Sequence, residues 1–156
     1  MSKHLISLAA AALALALVTP AIAQQQGPSK AEQMIKYRQA GFGWLAYNIG
    51  PIGAMAKGTI PFDAKVVERN AATMAAIAPR LLEGFPEGSA TGARTEAKPE
   101  IWTDMADFKA KMADLERATA DLAVASRSGD MKVIGPALGK VGGACKSCHD
   151  KFRKKD

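Results

Sequence analysis

The residues with the most distinctive chemistry lie together near the C-terminus, in the segment Cys145-Lys146-Ser147-Cys148-His149. Its C-x-x-C-H form is typical of covalent c-type haem attachment. Residues three apart on a helix are neighbours on one face, so both thiols can reach the two vinyl groups of one haem. The adjoining imidazole can then turn towards the iron as an axial ligand. The motif therefore predicts a haem c bound by Cys145 and Cys148, with His149 as ligand of the iron.

Two other chemistries use the same residue types. A structural zinc site needs four protein ligands, whereas this segment offers three and the chain has no second cysteine pair. A thioredoxin-like dithiol is expected in a βαβ context, which the sequence does not show. A disulfide between the two cysteines would close a very small loop and would stabilise the fold little. Haem attachment is the favoured interpretation.

The N-terminal segment has the composition of a secretory signal. Lys3 precedes an uncharged apolar run over residues 5–18, and small residues up to Ala23 resemble a cleavage site. A membrane-spanning helix needs about 20 apolar residues, so this run is too short for one. We expect residues 1–23 to be removed on export to the periplasm. Residues 24–156 would then form a single domain with no membrane span.

Export also changes the set of possible iron ligands. His4 is lost with the signal, which leaves His149 as the only histidine and excludes a haem with two histidine ligands. A second ligand would have to be a methionine, and Met105 and Met112 fit the apolar stripe of their segment. Each methionine is equally well explained as a core side chain, since methionine readily fills gaps. The candidates are Met34, Met55, Met74, Met105, Met112 and Met131.

The composition of the chain indicates a helical fold. Apolar residues make up 48% and aromatic residues 6% of the sequence, and β-branched stretches are few, which disfavours β-sandwiches and barrels. Four segments have apolar residues at the 3–4 spacing of an amphipathic helix. Asp63 and Asp130 are candidate N-caps for the second and the fourth. The segments are residues 35–52, 67–81, 101–122 and 134–152.

Glycine and proline residues indicate the connections between these segments. We expect connections over residues 50–61 and 126–129, and one long loop over residues 84–97. Pro79 and Pro136 fall inside or near helix starts and should kink or shorten those helices. Four amphipathic helices joined in this way predict an all-α fold, an antiparallel up-down-up-down four-helix bundle.

The attachment motif and two further segments resemble the cytochrome c′ family, the class II c-type cytochromes. The motif lies on the last predicted helix, Ile-Lys-Tyr-Arg-Gln at residues 35–39 lies early in the first, and Lys-Pro-Glu-Ile-Trp at residues 98–102 opens the third. The resemblance covers essentially the whole mature chain. It implies a four-helix bundle with one covalent haem c. It also implies a homodimer through the first two helices, whose small residues include Gly41, Gly43, Ala46 and those of 71–76.

The resemblance assigns residues to the propionate side of the haem. Arg38 and Gln39 match a pair that faces the propionates, and Glu96 matches an acidic or polar loop residue beside them. Arg38 lies at an inward stripe position, where a guanidinium is costly unless it is paired, and a carboxylate is a suitable bidentate partner. The alternative for Arg38 is an arginine that extends to solvent from the bundle edge.

The resemblance also assigns residues on the two faces of the haem. Phe42 matches the position that covers the distal face of the iron, Phe85 matches a second distal wall, and Arg153 matches a basic residue beside the proximal face. Phenylalanine cannot bind iron, so the implied state is five-coordinate and high-spin. Ordinary core packing explains Phe42 and Phe85 equally well.

An open iron position lined by hydrocarbon favours small, neutral gases. Nitric oxide and carbon monoxide need no distal hydrogen-bond donor, whereas bound dioxygen would lack one. The resemblance implies a gas-binding cytochrome, with nitric oxide sequestration as a proposed role. We expect no catalysis, because no distal histidine, distal arginine or second metal cluster is visible for acid–base work.

Electron transfer is the alternative function. Residues 140–156 contain six Lys and Arg but two Asp and Glu, and this positive charge could attract an acidic redox partner. Cations near a helix C-terminus are also favoured by the helix dipole alone. Nucleic-acid binding is not expected, because the chain is exported and shows no interleaving of basic and aromatic residues.

Overall fold

The computed structural model describes residues 27–155, and this part of the chain is helical with no β-strand. Four long helices are joined by a 3₁₀ helix and one extra helical turn. The signal segment expected at residues 1–23 lies outside the described residues. The helices are α1 (Lys30–Ala56), α2 (Ala64–Ile77), the 3₁₀ helix (Ala78–Gly84), α3 (Glu100–Thr103), α4 (Met105–Ser126) and α5 (Met131–Phe152).

Short polar side chains begin the long helices. Asp63 accepts hydrogen bonds from the backbone N–H groups of Lys65 and Val66 at the start of α2, and Asp130 accepts one from Lys132 at the start of α5. These bonds satisfy N–H groups that lack partners within the helix, and a carboxylate is favoured at the positive end of the helix dipole. The two caps predicted from the sequence are confirmed.

Two proline predictions are wrong. Pro51 lies inside α1, which continues to Ala56 instead of ending near Gly50. Ile52 is fully buried and Met55 is 8% exposed, so the burial gained by one further turn offsets the hydrogen bond that proline cannot make. Pro136 likewise lies within α5 and does not shorten it.

A proline and an aspartate determine two helix boundaries, the end of α2 and the start of α4. α2 ends at Ile77, and Pro79 occupies the first turn of the 3₁₀ helix, as its expected shortening effect predicts. The segment expected as one helix over 101–122 is instead divided at Asp104. The Asp104 side chain accepts a hydrogen bond from the Asp107 N–H and thereby caps α4.

The four long helices bury one hydrophobic core, which confirms the predicted bundle. Side chains from all four helices and from the 3₁₀ helix contribute to it. Cys145 and Cys148, within the apolar segment 134–152, are only partly buried and pack at the margin of this core. The largest fully buried apolar side chains are Phe108, Ile35, Ile52, Met74, Leu81, Ile101, Met112, Leu122, Ile134, Val67 and Val141.

Candidate haem site

A slot between α1 and the C-terminal half of α5 contains the attachment motif. It consists of two adjoining cavities of about 360 and 350 Å³. Phe42 and Ala46 of α1 line both cavities, as do Cys148, His149 and Arg153 of the last turns of α5 and just beyond it. Both predicted ends of the site, the motif and the first-helix segment, therefore meet in one place.

The two cavities differ in chemistry. Arg38, Gln39, Thr95 and Glu96 line the first cavity, which we call the polar lobe. The second, the apolar lobe, has mainly hydrocarbon and thioether walls, together with Lys111, His149 and Arg153. A haem has two carboxylates on one edge and vinyl groups elsewhere, so its polarity fits a slot with a charged end and an apolar end. The apolar walls are Leu45, Ile49, Met74, Met112 and Leu115.

The thiols of the motif lie where the slot is apolar. Both line the apolar lobe, and both are free. Burial raises the pKa of the Cys145 thiol and raises that of Cys148 to about 11, because a thiolate is poorly solvated there. Lys111 of α4 donates a hydrogen bond of 2.7 Å to the Ser147 hydroxyl between them. The thiols are therefore neutral near pH 7 and lie beside the cavity that would receive the vinyl edge.

His149 follows Cys148 directly and lines both lobes. Partial burial, together with the neighbouring Arg153 cation, lowers the pKa of its imidazole. A lowered pKa favours the neutral ring, which is the form that binds iron. Within residues 27–155, no group of three or more His, Cys, Asp and Glu side chains is arranged to hold a metal ion directly. The geometry thus favours a haem iron over the zinc alternative.

Arg38 is buried, with 2% of its surface exposed, and does not extend to solvent. Its Nη1 donates to the carbonyls of Gly84 and Ser89 and to the Ser89 hydroxyl, and its Nη2 donates to the Thr95 hydroxyl. Its guanidinium carbon lies 4.8 Å from the centroid of the Phe85 ring. Burial lowers the pKa of Arg38. No carboxylate among residues 27–155 forms an ion pair with this buried cation, so a cofactor carboxylate would supply the missing charge.

Gln39 and Glu96 lie beside Arg38 but have other partners. The Gln39 side-chain amide donates to the carbonyl of Arg94 at 2.9 Å. The Glu96 carboxylate lies 3.9 Å from the Arg94 guanidinium, at the limit of an ion pair. Both side chains line the polar lobe. Gln39 therefore holds the loop that forms the wall of this lobe.

The predicted distal residues come together. Phe42 and Phe85 are in edge-to-face contact, with ring centroids 6.2 Å apart, and both line the polar lobe. Phe85 also packs on Phe108, with centroids 4.7 Å apart. Among the methionine candidates, Met74 and Met112 line the apolar lobe, whereas Met105 lines neither cavity.

The end of α5 and the residues after it bond to the loop that lines the polar lobe. Ala97 and Arg153 form an isolated antiparallel bridge. The N–H of Lys98 donates to the Phe152 carbonyl at 3.0 Å, and the N–H of Lys154 donates to the Glu96 carbonyl at 2.8 Å. The loop before α3 is thereby fixed both to α5 and, through Arg38 and Gln39, to α1.

Sequence reasoning missed three residues that support the site. Ser89 is 1% exposed, and its hydroxyl accepts a hydrogen bond from Arg38. The Thr95 hydroxyl also accepts a hydrogen bond from Arg38. The centroid of the Trp102 ring lies 5.4 Å from the Arg38 guanidinium carbon. Trp102 belongs to a segment that the sequence already singles out, so its position carried a signal. The serine and the threonine lie in an irregular loop, where no periodicity indicates burial.

Comparison with known proteins identifies the family. A sequence model of the cytochrome c′ family matches residues 33–153. Cytochrome c′ of Rubrivivax gelatinosus is 44% identical over 121 residues, which are 78% of this chain and 94% of that protein. The structure of cytochrome c prime from Shewanella frigidimarina has 44% identity and a TM-score of 0.78, over 81% of this chain and 98% of that one.

A third match concerns a gas complex. The nitric oxide complex of a point mutant of cytochrome c prime from Alcaligenes xylosoxidans has 33% identity and a TM-score of 0.74, covering 81% of this chain and 98% of that one. None of the helices within residues 27–155 is long and apolar enough to cross a membrane. The family match, the four-helix bundle and the C-x-x-C-H slot agree, and the chain belongs to the cytochrome c′ family, whose members carry one covalently bound haem c.

Proposed function

We propose that this protein is a periplasmic cytochrome with five-coordinate, high-spin haem that binds nitric oxide and carbon monoxide. Cys145 and Cys148 form the thioether bonds, His149 is the axial ligand, and Arg153 flanks the proximal side. The propionates enter the polar lobe beside Arg38. Residues 1–23 are the signal that directs export, and residues 24–156 are the mature domain.

The observation that carries this proposal is the position of Phe42. Its ring lines both lobes of the slot that contains His149, and it presents only hydrocarbon there. A phenylalanine cannot coordinate iron and offers no hydrogen bond to a bound ligand, so a gas that needs no distal donor is favoured. The nitric oxide complex of the relative supports the same chemistry.

The direct test is titration of the purified ferrous protein with nitric oxide, followed by absorption spectroscopy. We expect stoichiometric uptake, with one equivalent bound for each haem. A ferrous spectrum that does not change with nitric oxide would contradict the proposal.

Binding without catalysis is part of this proposal. Arg38 and Arg153 are the arginines that line the polar lobe. The Nη1 hydrogens of Arg38 are already donated to oxygens of Gly84 and Ser89. A guanidinium also retains its proton in proteins. The test is to measure the turnover of peroxide and of nitric oxide by the reduced protein. We expect no turnover above the rate of free haem.

Electron transfer is the second candidate, and the charge distribution bears on it. Half of the cations over residues 140–156 are neutralised within the molecule: Lys140 pairs with Asp121, Lys146 with Asp150, and Lys151 with Asp104 and Asp107. Arg153, Lys154 and Lys155 form no ion pair among the described residues. The field around the slot is therefore weaker than the sequence indicates, and we place gas binding first.

We also propose a homodimer through the outer face of α1 and α2. Trp44 and Tyr47 are 56% and 72% exposed there, and a groove of about 460 Å³ runs between the two helices. Gly41 and residue 76 line this groove, whereas Gly43 and Ala46 line the haem slot. A large exposed aromatic surface is typical of protein interfaces.

A further inference from the structure

A hydrogen-bonded turn in the long loop holds the buried guanidinium. The Ser89 hydroxyl donates to the Pro86 carbonyl at 2.8 Å and accepts from Arg38 Nη1 at 3.2 Å. The indole N–H of Trp102 donates to the same Pro86 carbonyl at 3.0 Å. Ser89 and Trp102 are thus linked through one carbonyl, and both contact Arg38.

The bonds made by Arg38 divide its guanidinium into an occupied edge and a free edge. Nη1 has three acceptors: the carbonyls of Gly84 and Ser89 and the Ser89 hydroxyl. Nη2 has one, the Thr95 hydroxyl. Neither Nε nor the second hydrogen of Nη2 has an acceptor within hydrogen-bond distance among residues 27–155. Because both Nη1 hydrogens are engaged and Nε is not, a carboxylate that binds two N–H groups at once fits the Nε–Nη2 edge best.

We propose that Ser89 is a positioning residue that fixes which edge of Arg38 meets a haem carboxylate. Its hydroxyl contacts Nη1 and, through its bond to the Pro86 carbonyl, fixes the turn that presents the Ser89 carbonyl to the same Nη1. With the Gly84 carbonyl as the third acceptor of Nη1, the Nε–Nη2 edge is left for the cofactor. Trp102 supports Ser89 through Pro86 and covers the guanidinium with its ring. This inference rests on the proposed contact between Arg38 and a propionate.

The consequence is electrostatic. A guanidinium aligned with two hydrogen bonds lowers the pKa of a carboxyl group more than one that is free to rotate. Ionisation of that carboxyl adds negative charge near the iron, so the reduction potential falls as the pH rises through its pKa. The other ionisable groups that face the polar lobe are Glu96, His149 and Arg153.

The test is the pH profile of the reduction potential of the haem-loaded protein, measured for wild type and Ser89→Ala. In the variant the low-pH inflection should move to higher pH by about half a unit to one unit, a threefold to tenfold change in proton affinity. Trp102→Phe keeps an aromatic ring but loses the hydrogen bond to Pro86, so it should move the inflection to higher pH by a smaller amount. If Ser89→Ala does not fold, Trp102→Phe takes its place as the test.

Ser126→Ala is the matched control. Ser126 is also a buried serine, 2% exposed, and its hydroxyl donates to the Ala123 carbonyl at the far end of α4. Its removal should leave the inflection in place. The same titration of Glu96→Gln separates the loop carboxyl from the carboxyl of the cofactor.

Arg38→Lys distinguishes the contact between Arg38 and a propionate from the positioning role of Ser89. If Arg38→Lys moves the inflection and Ser89→Ala does not, the positioning role of Ser89 is wrong although the propionate contact stands. If neither substitution moves it, the contact between Arg38 and the propionate is itself wrong. A shift in Ser126→Ala equal to that in Ser89→Ala would also overturn the positioning role.

Discussion

Phe42 on α1 and Phe85 in the long loop are in edge-to-face contact, with an interplanar angle of 71° between their rings. The pair forms an apolar wall of the slot that holds the attachment motif. Edge-to-face contact is a favoured arrangement of aromatic rings and restricts the motion of both. Contact with Phe85 therefore holds the Phe42 ring at the slot, and neither ring places an iron-binding atom there.

Replacement of Phe42 by methionine should place a ligand atom at this wall. In Phe42→Met we expect the haem to become at least partly low-spin and to bind carbon monoxide more slowly, because the thioether competes for the sixth position. Phe42→Leu is the control, since leucine has a similar size and cannot bind iron. Absorption spectra and stopped-flow binding measure both effects, and an equal response of the two variants would count against the assignment.

Loss of the buried guanidinium should destabilise the haem-loaded protein strongly. Arg38→Met leaves the carbonyls of Gly84 and Ser89 and a haem carboxylate without their donor, so we expect a loss of about 3–5 kcal/mol in the free energy of unfolding. Urea denaturation measures it. Arg117→Met removes an exposed ion pair with Asp114 and should change stability little. Similar losses in the two variants would contradict the role of Arg38.

Gly84 is required by the close approach of the 3₁₀ helix to α1. A Cβ atom at this position would lie 2.7 Å from the Cβ and 3.2 Å from the Cα of Arg38. Gly84→Ala should therefore lower the free energy of unfolding by about 1–3 kcal/mol. Gly139→Ala, on α5 with no atom within 4 Å of the added Cβ, should instead stabilise the protein by about 0.5–1 kcal/mol. Urea unfolding of the two variants should differ in sign.

The ion pair between Lys151 and Asp104 should make stability depend on pH. The hydrogen bond from Lys151 lowers the pKa of Asp104 below its usual value, so its contribution is present above about pH 4 and is lost as the pH falls through the lowered pKa. Asp104→Asn keeps a capping side chain but removes the charge. Its melting temperature should lie below that of wild type at pH 7, and the difference should disappear in acid.

Asp121→Asn is the control for removal of the Asp104 charge. Asp121 pairs with Lys140 at 3.6 Å on the exposed surface and caps no helix. We expect a smaller effect at pH 7, since isolated exposed ion pairs contribute little. Equal changes in melting temperature for Asp104→Asn and Asp121→Asn would show that the pairing of Asp104 with Lys151 makes no special contribution to stability.

The proposed dimer should depend on the exposed aromatic residues of α1. Trp44→Glu introduces a charge into that face, and we expect sedimentation equilibrium to show a monomer where wild type is a dimer. Val133→Glu, at a 49% exposed position on α5, should leave the dimer intact. A monomeric wild type would refute the interface.

The sequence predicted the fold well where local signals and packing agree. Asp63 and Asp130 are caps whose effect is local, and both begin helices as expected. Pro51 was misleading because the burial of Ile52 and Met55 outweighs a local break. Asp104 divides the third segment because its carboxylate caps α4, a choice that apolar periodicity does not reveal.

The candidate site also combines residues that local sequence patterns indicate with residues that only the tertiary fold brings together. The spacing of Cys145, Cys148 and His149 is a local pattern, and it indicates haem directly. The burial of Arg38 was expected from its stripe position, but its partners were not. Ser89 and Thr95 reach it from a loop about fifty residues away in sequence, and such contacts depend on the tertiary fold.

The open iron position behind Phe42 can be detected in the absorption spectra of the purified ferric and ferrous protein, recorded with and without carbon monoxide. We expect broad, unresolved visible bands that shift when carbon monoxide is added to the ferrous protein. Sharp, split bands that do not respond to the gas would contradict it, because they would show that an internal ligand already occupies the sixth position.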